Sequence, residues 1–155
     1  MKKIITIFAF LLLYHCGFES IYSKKNIDSN YNFSINSIGF SGQNEINKTI
    51  KSKLLNYLDK DEKKIKLDLT IESIVNKKVT SKNKKGNPET FLMEIIINLE
   101  VFKNNSSINK KKIQENAEYN NKSSQFELNK YEKNIQNNLS QKLSEHIIEH
   151  LHFIK

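Results

Sequence analysis

Hydrophobic and polar positions change period several times along this chain, and each change predicts an element. In Tyr31–Phe40, Phe33 and Ile35 alternate with polar neighbours, then Ile38 and Phe40 resume on the other parity. That pattern predicts a bulged strand, closed by Gly39 and Gly42. From Asn44 the period lengthens: Ile46, Ile50, Leu54, Tyr57 and Leu58 share one helical face while Lys48, Lys51 and Lys53 point away. An amphipathic helix is expected there, capped by Asn44 and ending near Asp59. Alternation returns with Ile65, Leu67, Leu69, Ile71 and Val75 against Lys66, Asp68, Thr70 and Glu72, the clearest strand pattern in the chain.

A second strong strand runs from Phe91 to Val101, with Phe91, Met93, Ile95, Ile97, Leu99 and Val101 inward. After the break at Asn104-Asn105-Ser106-Ser107, Ile113, Ala117 and Tyr119 share a parity and predict a weaker third arm, as an edge strand can be. Tyr131, Ile135, Leu139, Leu143, Ile147, Leu151 and Ile154 follow at spacings of three and four. A helix from Phe126 to Phe153 would be about 42 Å long at 1.5 Å per residue. The order β-α-β-β-β-α predicts an α+β fold, an antiparallel sheet of about four strands with two helices packed on one face. The other sheet face is expected to be polar and to meet solvent or a partner.

The amino terminus is of another kind. Lys2 and Lys3 precede an eleven-residue apolar or neutral run, Ile4 to Tyr14. That run is too short for a membrane span, which needs about 20 apolar residues, and reads as the core of a secretion signal. The chain's single cysteine, Cys16, follows directly in LLLYHC, where lipoprotein signals place the residue that receives diacylglycerol. His15, with Tyr14 before it, stands where Gly, Ala or Ser is usual. The alternative is a free cysteine that happens to end a signal peptide. The division expected is 1–15 signal peptide, 16–30 lipidated amino terminus and tether, 31–155 folded domain. Gly17, rather than Asp, after the cysteine favours export to the outer membrane. Three acyl chains, a diacylglycerol and an N-acyl group on Cys16, would make the anchor effectively permanent.

Removing 15 of the 155 residues leaves 140, enough for one domain, and lowers the formal charge from +8 to +6. All the basic residues are Lys and none is Arg, amid abundant Asn and Ile, the mark of an A/T-rich genome. Arg would be expected for bidentate recognition of bases or phosphates, so nucleic acid is not an expected partner. With its one cysteine assigned to lipid, the domain has no intramolecular disulfide to rely on.

Cys16-Gly17-Phe18-Glu19-Ser20-Ile21-Tyr22 resembles the CGFxPLY opening of the LPS-assembly lipoproteins, the LptE family, with Ser20 in place of Pro. The succession of strand, helix, two long strands about a polar connection, and a closing helix introduced by Tyr119-Asn120-Asn121 and Ser124-Gln125-Phe126 is similar to that family over nearly the whole mature chain. The resemblance implies a lipoprotein on the periplasmic face of the outer membrane. Such a protein plugs and helps assemble the LptD β-barrel and assists lipopolysaccharide transport to the outer leaflet, without catalysis and without a cofactor. A basic, Asn-rich plug suits the polar interior of a large barrel, and lysines suit the phosphates of lipopolysaccharide. The other reading is a lipoprotein adaptor of a different envelope machine.

Between the two best strands, Asn76 to Thr90 is expected to be a fifteen-residue loop with Gly86-Asn87-Pro88 as its turn signal. Its lysines, Lys77, Lys78, Lys82, Lys84 and Lys85, are candidates for lipopolysaccharide or barrel contact; a solvated loop whose lysines reflect genome bias stands level with that reading. His146-Ile147-Ile148-Glu149-His150 spells the H-x-x-E-H of one metallopeptidase class, and only five residues follow it, too few for a downstream third ligand. It is read as a partly exposed helix flank, with no metal expected. Glycine-rich phosphate loops, nucleophile elbows and paired CxxC motifs are missing from the sequence.

Overall fold

The parity switch in the first strand is a bulge. In the computed structural model, which describes residues 32–58 and 63–154, β1 (Phe33–Gly42) slips register against its neighbour between Ile35 and Ser37. The slip brings Asn36 and Ser37 together on Asp68, whose Oδ1 accepts from Asn36 Nδ2 at 2.8 Å and Ser37 Oγ at 2.6 Å. Those two donors, Ser37 foremost, hold the Asp68 carboxyl below its ordinary range. Cys16, the expected signal peptide 1–15 and the tether 16–30 lie outside the described residues.

Gly42 ends β1 at φ +88°, where a Cβ would lie 2.0 Å from the Ser73 carbonyl oxygen, so a glycine is required on both counts. The turn feeds α1 (Asn44–Leu54), whose cap position falls on Gln43 and carries no side-chain cap bond. Asn44, expected at the cap, is already helical. Buried Asn47, one turn in, ties the helix start to the sheet: it donates from Nδ2 to the Ser41 carbonyl at 3.0 Å and accepts from Ser73 Oγ at 2.8 Å. A short 3-10 turn, Leu55–Tyr57, replaces the last expected helical turn, because Leu58 is already extended and bridges to Ile35.

β2 (Ile65–Lys82), β3 (Pro88–Lys103) and β4 (Ser106–Asn120) follow, then α2 (Gln125–His152). The sheet order is β1-β2-β3-β4. β2, β3 and β4 pair antiparallel as expected, whereas β1 lies parallel to β2, making the sheet mixed. The cause is α1, which carries the chain back along the sheet before β2 begins; a helical crossover joins parallel strands. Asn104 and Asn105, at φ 51° and 62°, form the two-residue β3–β4 turn in which both central residues must be left-handed.

The core lies between the sheet and the two helices. Leu67, Leu69, Ile71, Met93, Ile95, Ile97, Leu99 and Val101 meet Ile46, Ile50 and Leu54 of α1 and Leu139, Leu143, Ile147 and Leu151 of α2, all buried. Fully burying such a side chain is worth roughly 1.5–3 kcal/mol. Ser140 and Ser144 are buried on α2 and return their hydroxyls to the carbonyls of Gln136 and Ser140, each at 2.7 Å. The other sheet face is less polar than its pattern suggests: Ile74 is opposite Ile96 across β2 and β3, with Leu92 farther along, because the run Ile95-Ile96-Ile97 supplies apolar residues to both faces. No helix among the described residues is long and apolar enough to cross a membrane.

The sheet is long. Eighteen residues of β2 at about 3.3 Å each span about 60 Å, so the domain has two well-separated ends. Phe33, Ile65, the β3–β4 turn and the end of α2 lie at one, the base. The β2–β3 turn and the start of α2 lie at the other, the tip.

Candidate functional site

The fifteen-residue loop expected over Asn76–Thr90 is mostly sheet. β2 and β3 stay paired through Lys77–Met93, Lys78–Leu92 and Val79–Phe91, and two register shifts between Val79 and Lys82 leave only residues 83–87 as the turn. Asn83 builds that turn: its Oδ1 accepts from the Lys85 and Asn87 amides at 2.9 and 3.1 Å, and its carbonyl accepts from the Gly86 amide at 2.9 Å. Gly86 sits at φ +83°, and Pro88 opens β3, as the Gly86-Asn87-Pro88 signal predicts. The apolar alternation fades before the strand ends because Lys77 occupies a core-face position.

That placement divides the five candidate lysines. Lys77 shares a face with Met93, and its ammonium pairs with the Glu132 carboxylate of α2 and lies 4.5 Å from the centroid of the Phe91 ring. Lys78 shares the opposite face with Leu92. Lys82 ends β2 beside Pro88, and Lys84 and Lys85 are exposed in the turn. The tip therefore presents Lys82, Lys84 and Lys85 outward and uses Lys77 to close its own interior.

Around Lys77 four elements converge. Tyr119 of β4 donates its hydroxyl to Glu132 Oε1 at 2.8 Å and stacks on Phe91 of β3 at 5.6 Å. Tyr131 of α2 meets Tyr119 edge-on at 6.0 Å, and Lys122 lies 4.2 Å from the centroid of the Tyr131 ring. Burial first, and then the hydrogen bond to Glu132 and its charge, push the Tyr119 phenol far above its usual range, so it stays a donor. Beside the cluster, the Thr90 hydroxyl lies 2.6 Å from that of Thr80 and 2.7 Å from that of Ser81, and Thr80 donates to Glu118 at 2.7 Å. Next to these hydroxyls is a recess of about 470 Å³ lined by Ser81, Asn83, Pro88, Glu89, Thr90, Asn120 and Asn121. Chemically the tip offers ammonium groups for anions and amides and hydroxyls for sugar-like ligands.

Sequence reasoning identified neither Glu132, Tyr131 nor Lys122 as members of this cluster. Lys77 and Glu132 are 55 residues apart, and nothing in the local pattern of either forecasts the other. The histidines of H-x-x-E-H are also divided. His146 places Nε2 3.2 Å from Glu115 Oε1 and Nδ1 3.3 Å from Glu149 Oε2, whereas His150 Nε2 is 2.7 Å from Asn109 Oδ1. Both flank β4, His146 near half exposed. The described residues contain no group of three or more metal-binding side chains suited to hold an ion.

A parallel strand–helix–strand unit, two further antiparallel strands and a long closing helix form an architecture found in solved bacterial lipoproteins. Rare lipoprotein B from Shewanella oneidensis matches with a TM-score of 0.59 at 12% identity, covering 75% of this chain and 93% of that one. A minor lipoprotein from Acinetobacter baumannii gives a TM-score of 0.60 at 14% identity, covering 79% and 91%, and lipoprotein B from Nitrosomonas europaea gives 0.62 at 13%, covering 79% and 84%. At such identities the likeness is one of fold. No protein-family model and no curated protein sequence matches the chain.

Proposed function

We propose that this chain is an outer-membrane lipoprotein of the LPS-assembly kind, lipidated on Cys16, that plugs and helps assemble the LptD barrel and assists lipopolysaccharide transport. The observation that carries the reading is the fold: the architecture shared with solved bacterial lipoproteins begins at Phe33, a short stretch after a cysteine placed as a lipidation site. Cys16-Gly17-Phe18 and Tyr22 support the particular family. The protein then acts by binding, with no catalytic step and no group beyond the acyl chains on Cys16. Its 60-Å sheet is long enough to run through a bilayer-spanning barrel whose hydrocarbon zone is about 30 Å thick, carrying the polar tip with Lys82, Lys84 and Lys85 toward the outer leaflet.

Affinity purification of the tagged full-length chain from detergent-solubilised outer membrane tests this. LptD should co-purify in near-stoichiometric amount, and depletion of the chain should leave LptD immature. Recovery without LptD, together with unchanged LptD on depletion, overturns the reading. A different envelope assembly recovered in its place would make the chain that machine's adaptor.

A further inference from the structure

The recess at the tip differs in kind from those at the base. Two recesses at the base are each lined by a lysine, a histidine and Phe153. The tip recess, about 470 Å³, has no cation in its lining and one carboxylate, Glu89. Lysines are nevertheless its neighbours in the chain: Lys82 beside Pro88, and Lys84 and Lys85 in the turn. A phosphate in the recess would meet the like charge of Glu89, so the lining selects against anions. Its volume falls within the about 300–1,000 Å³ of small-ligand pockets, but its amides and hydroxyls would be costly to cover with an apolar ligand.

Some of the lining groups are fixed and others are unused. Asn121 ties the start of β3 to the end of β4: its amide donates to the Glu89 carbonyl at 2.8 Å, its Nδ2 donates to the Pro88 carbonyl at 2.9 Å, and its Oδ1 accepts from the Lys122 amide at 2.9 Å. Asn83 is held by the turn through Oδ1, and the Thr90 hydroxyl by those of Thr80 and Ser81. Among the described residues, the Glu89 carboxylate, the Asn120 amide and Asn83 Nδ2 have no hydrogen-bond partner. A carboxylate accepts, the Asn83 nitrogen donates and the Asn120 amide does both, which complements neighbouring hydroxyls that each donate once and accept. Pro88 adds an apolar wall on which the C–H face of a pyranose ring can rest.

We propose that the tip recess binds a neutral sugar ring through Glu89, Asn83 and Asn120, with the lysines of the turn left outside it to meet phosphates. Placing that ring in the core saccharide of lipopolysaccharide rests on the function proposed above, which carries the tip toward the outer leaflet. The match between recess and sugar rests on the lining alone. Because the turn and Asn121 already fix the frame, little ordering is needed on binding.

Side-chain amide resonances read the site directly. The full isotope-labelled chain in detergent micelles would be titrated with methyl glycosides of glucose, galactose and mannose. Parallel titrations would use the dephosphorylated core oligosaccharide released from lipopolysaccharide of the same cells, and inorganic phosphate. At least one glycoside, and the oligosaccharide, should saturably shift the Nδ2 resonances of Asn83 and Asn120, with a glycoside Kd on the order of 1 mM. Phosphate should shift the Lys84 and Lys85 amides and leave Asn120 unmoved. Glu89→Ala with Asn120→Ala should weaken glycoside binding about tenfold without altering the fold, since neither side chain has a partner to lose. Lys82→Gln with Lys84→Gln and Lys85→Gln should leave it within about twofold. No saturable shift by any of the sugars, unchanged affinity in the Glu89→Ala/Asn120→Ala chain, or phosphate competing at Asn120 overturns the proposal. A glycoside that binds while the core oligosaccharide does not refutes the assignment to lipopolysaccharide. The titration needs neither LptD nor an acylated Cys16, so loss of sugar binding and failure of LptD to co-purify are separate results.

Discussion

Tip and base finish the same sheet in different ways. At the tip a cluster of rings is tied into polar contacts: Lys77 lies over Phe91, Lys122 over Tyr131, and Glu132 takes both the Lys77 ammonium and the Tyr119 hydroxyl, while Phe126 stays open. At the base Phe153, Leu55 and Ile108 are left open, and the carboxylates nearby are engaged locally, Glu100 by Lys110 and Ser107, and Glu115 and Glu149 by His146. Cation–aromatic contacts contribute only about 0.5–1 kcal/mol each in the open, more where water is excluded, so covering the tip does little for stability. The tip joins its elements through the polar hub at Glu132, whereas the base joins them through the rings of Phe33, Tyr57 and His152. The two ends are thus held by different contacts, and the comparison can be broken experimentally.

The largest expected effects come from the two ends of α2. Leu151 is fully buried at the base and Leu128 is 5% exposed in the helix's first turn at the tip. Leu151→Ala should cost about 2–5 kcal/mol and Leu128→Ala should fall at the low end of that range, read from urea midpoints. If Leu128→Ala proves the costlier, the tip rather than the base holds the long helix down.

Next in size is the tip cluster. Glu132→Ala leaves a largely buried phenol without its acceptor and Lys77 without its counter-charge, and should cost about 1–3 kcal/mol. Tyr119→Phe should cost about 0.5–1.5 kcal/mol. The double variant Glu132→Ala/Tyr119→Phe should be less destabilised than the sum of the singles. Strict additivity would mean that the hydroxyl and the carboxylate do not act together.

How much of each end could be seen in the sequence follows from the range of the interactions. Elements held by local periodicity were legible: α2 spans Gln125–His152 where Phe126–Phe153 was expected, and the bulge falls between Ile35 and Ser37 where parity switches. The direction of β1 was not, because strand alternation is the same whichever way the neighbour runs. Nor was the continuation of β2 past Val75, since Lys77 at a core-face position looks polar until Glu132, 55 residues away, is brought to it. The five candidate lysines were gathered into one loop by that same break in pattern, and the structure spreads them over two faces and a turn. At the base, Phe153 and Ile108 carry no signal of their own, being ordinary hydrophobic residues whose exposure only the folded chain decides.

A smaller effect belongs to the bulge, on the edge strand that leads up from the base. Asp68→Ala removes the acceptor shared by Ser37 and Asn36 and should cost about 0.5–1.5 kcal/mol near neutral pH. The carboxyl is held below its ordinary value of 3.8, so the folded state binds its proton less readily than the unfolded one. Its stabilisation is complete above the unfolded value and is lost as pH falls through the folded value. The gap between the natural chain and the variant should therefore shrink on acidification below about pH 4. A gap unchanged down to pH 2 would show that the two donors bind the neutral acid equally well.

The smallest effect separates the ends by pH. Burial, and next the Lys111 charge, lower the pKa of His150 at the base, and no histidine stands in the tip cluster. A histidine with a depressed folded value binds fewer protons folded than unfolded, so its share of stability is complete above the unfolded value of 6.5 and declines as pH falls from there toward the folded value. Hydrogen exchange in the last turn of α2 should accelerate between pH 6.5 and 5 relative to the first turn, after correction for intrinsic rates. His150→Gln should remove the difference, and Lys111→Gln should reduce it. A last turn that tightens on acidification would overturn this assignment to His150.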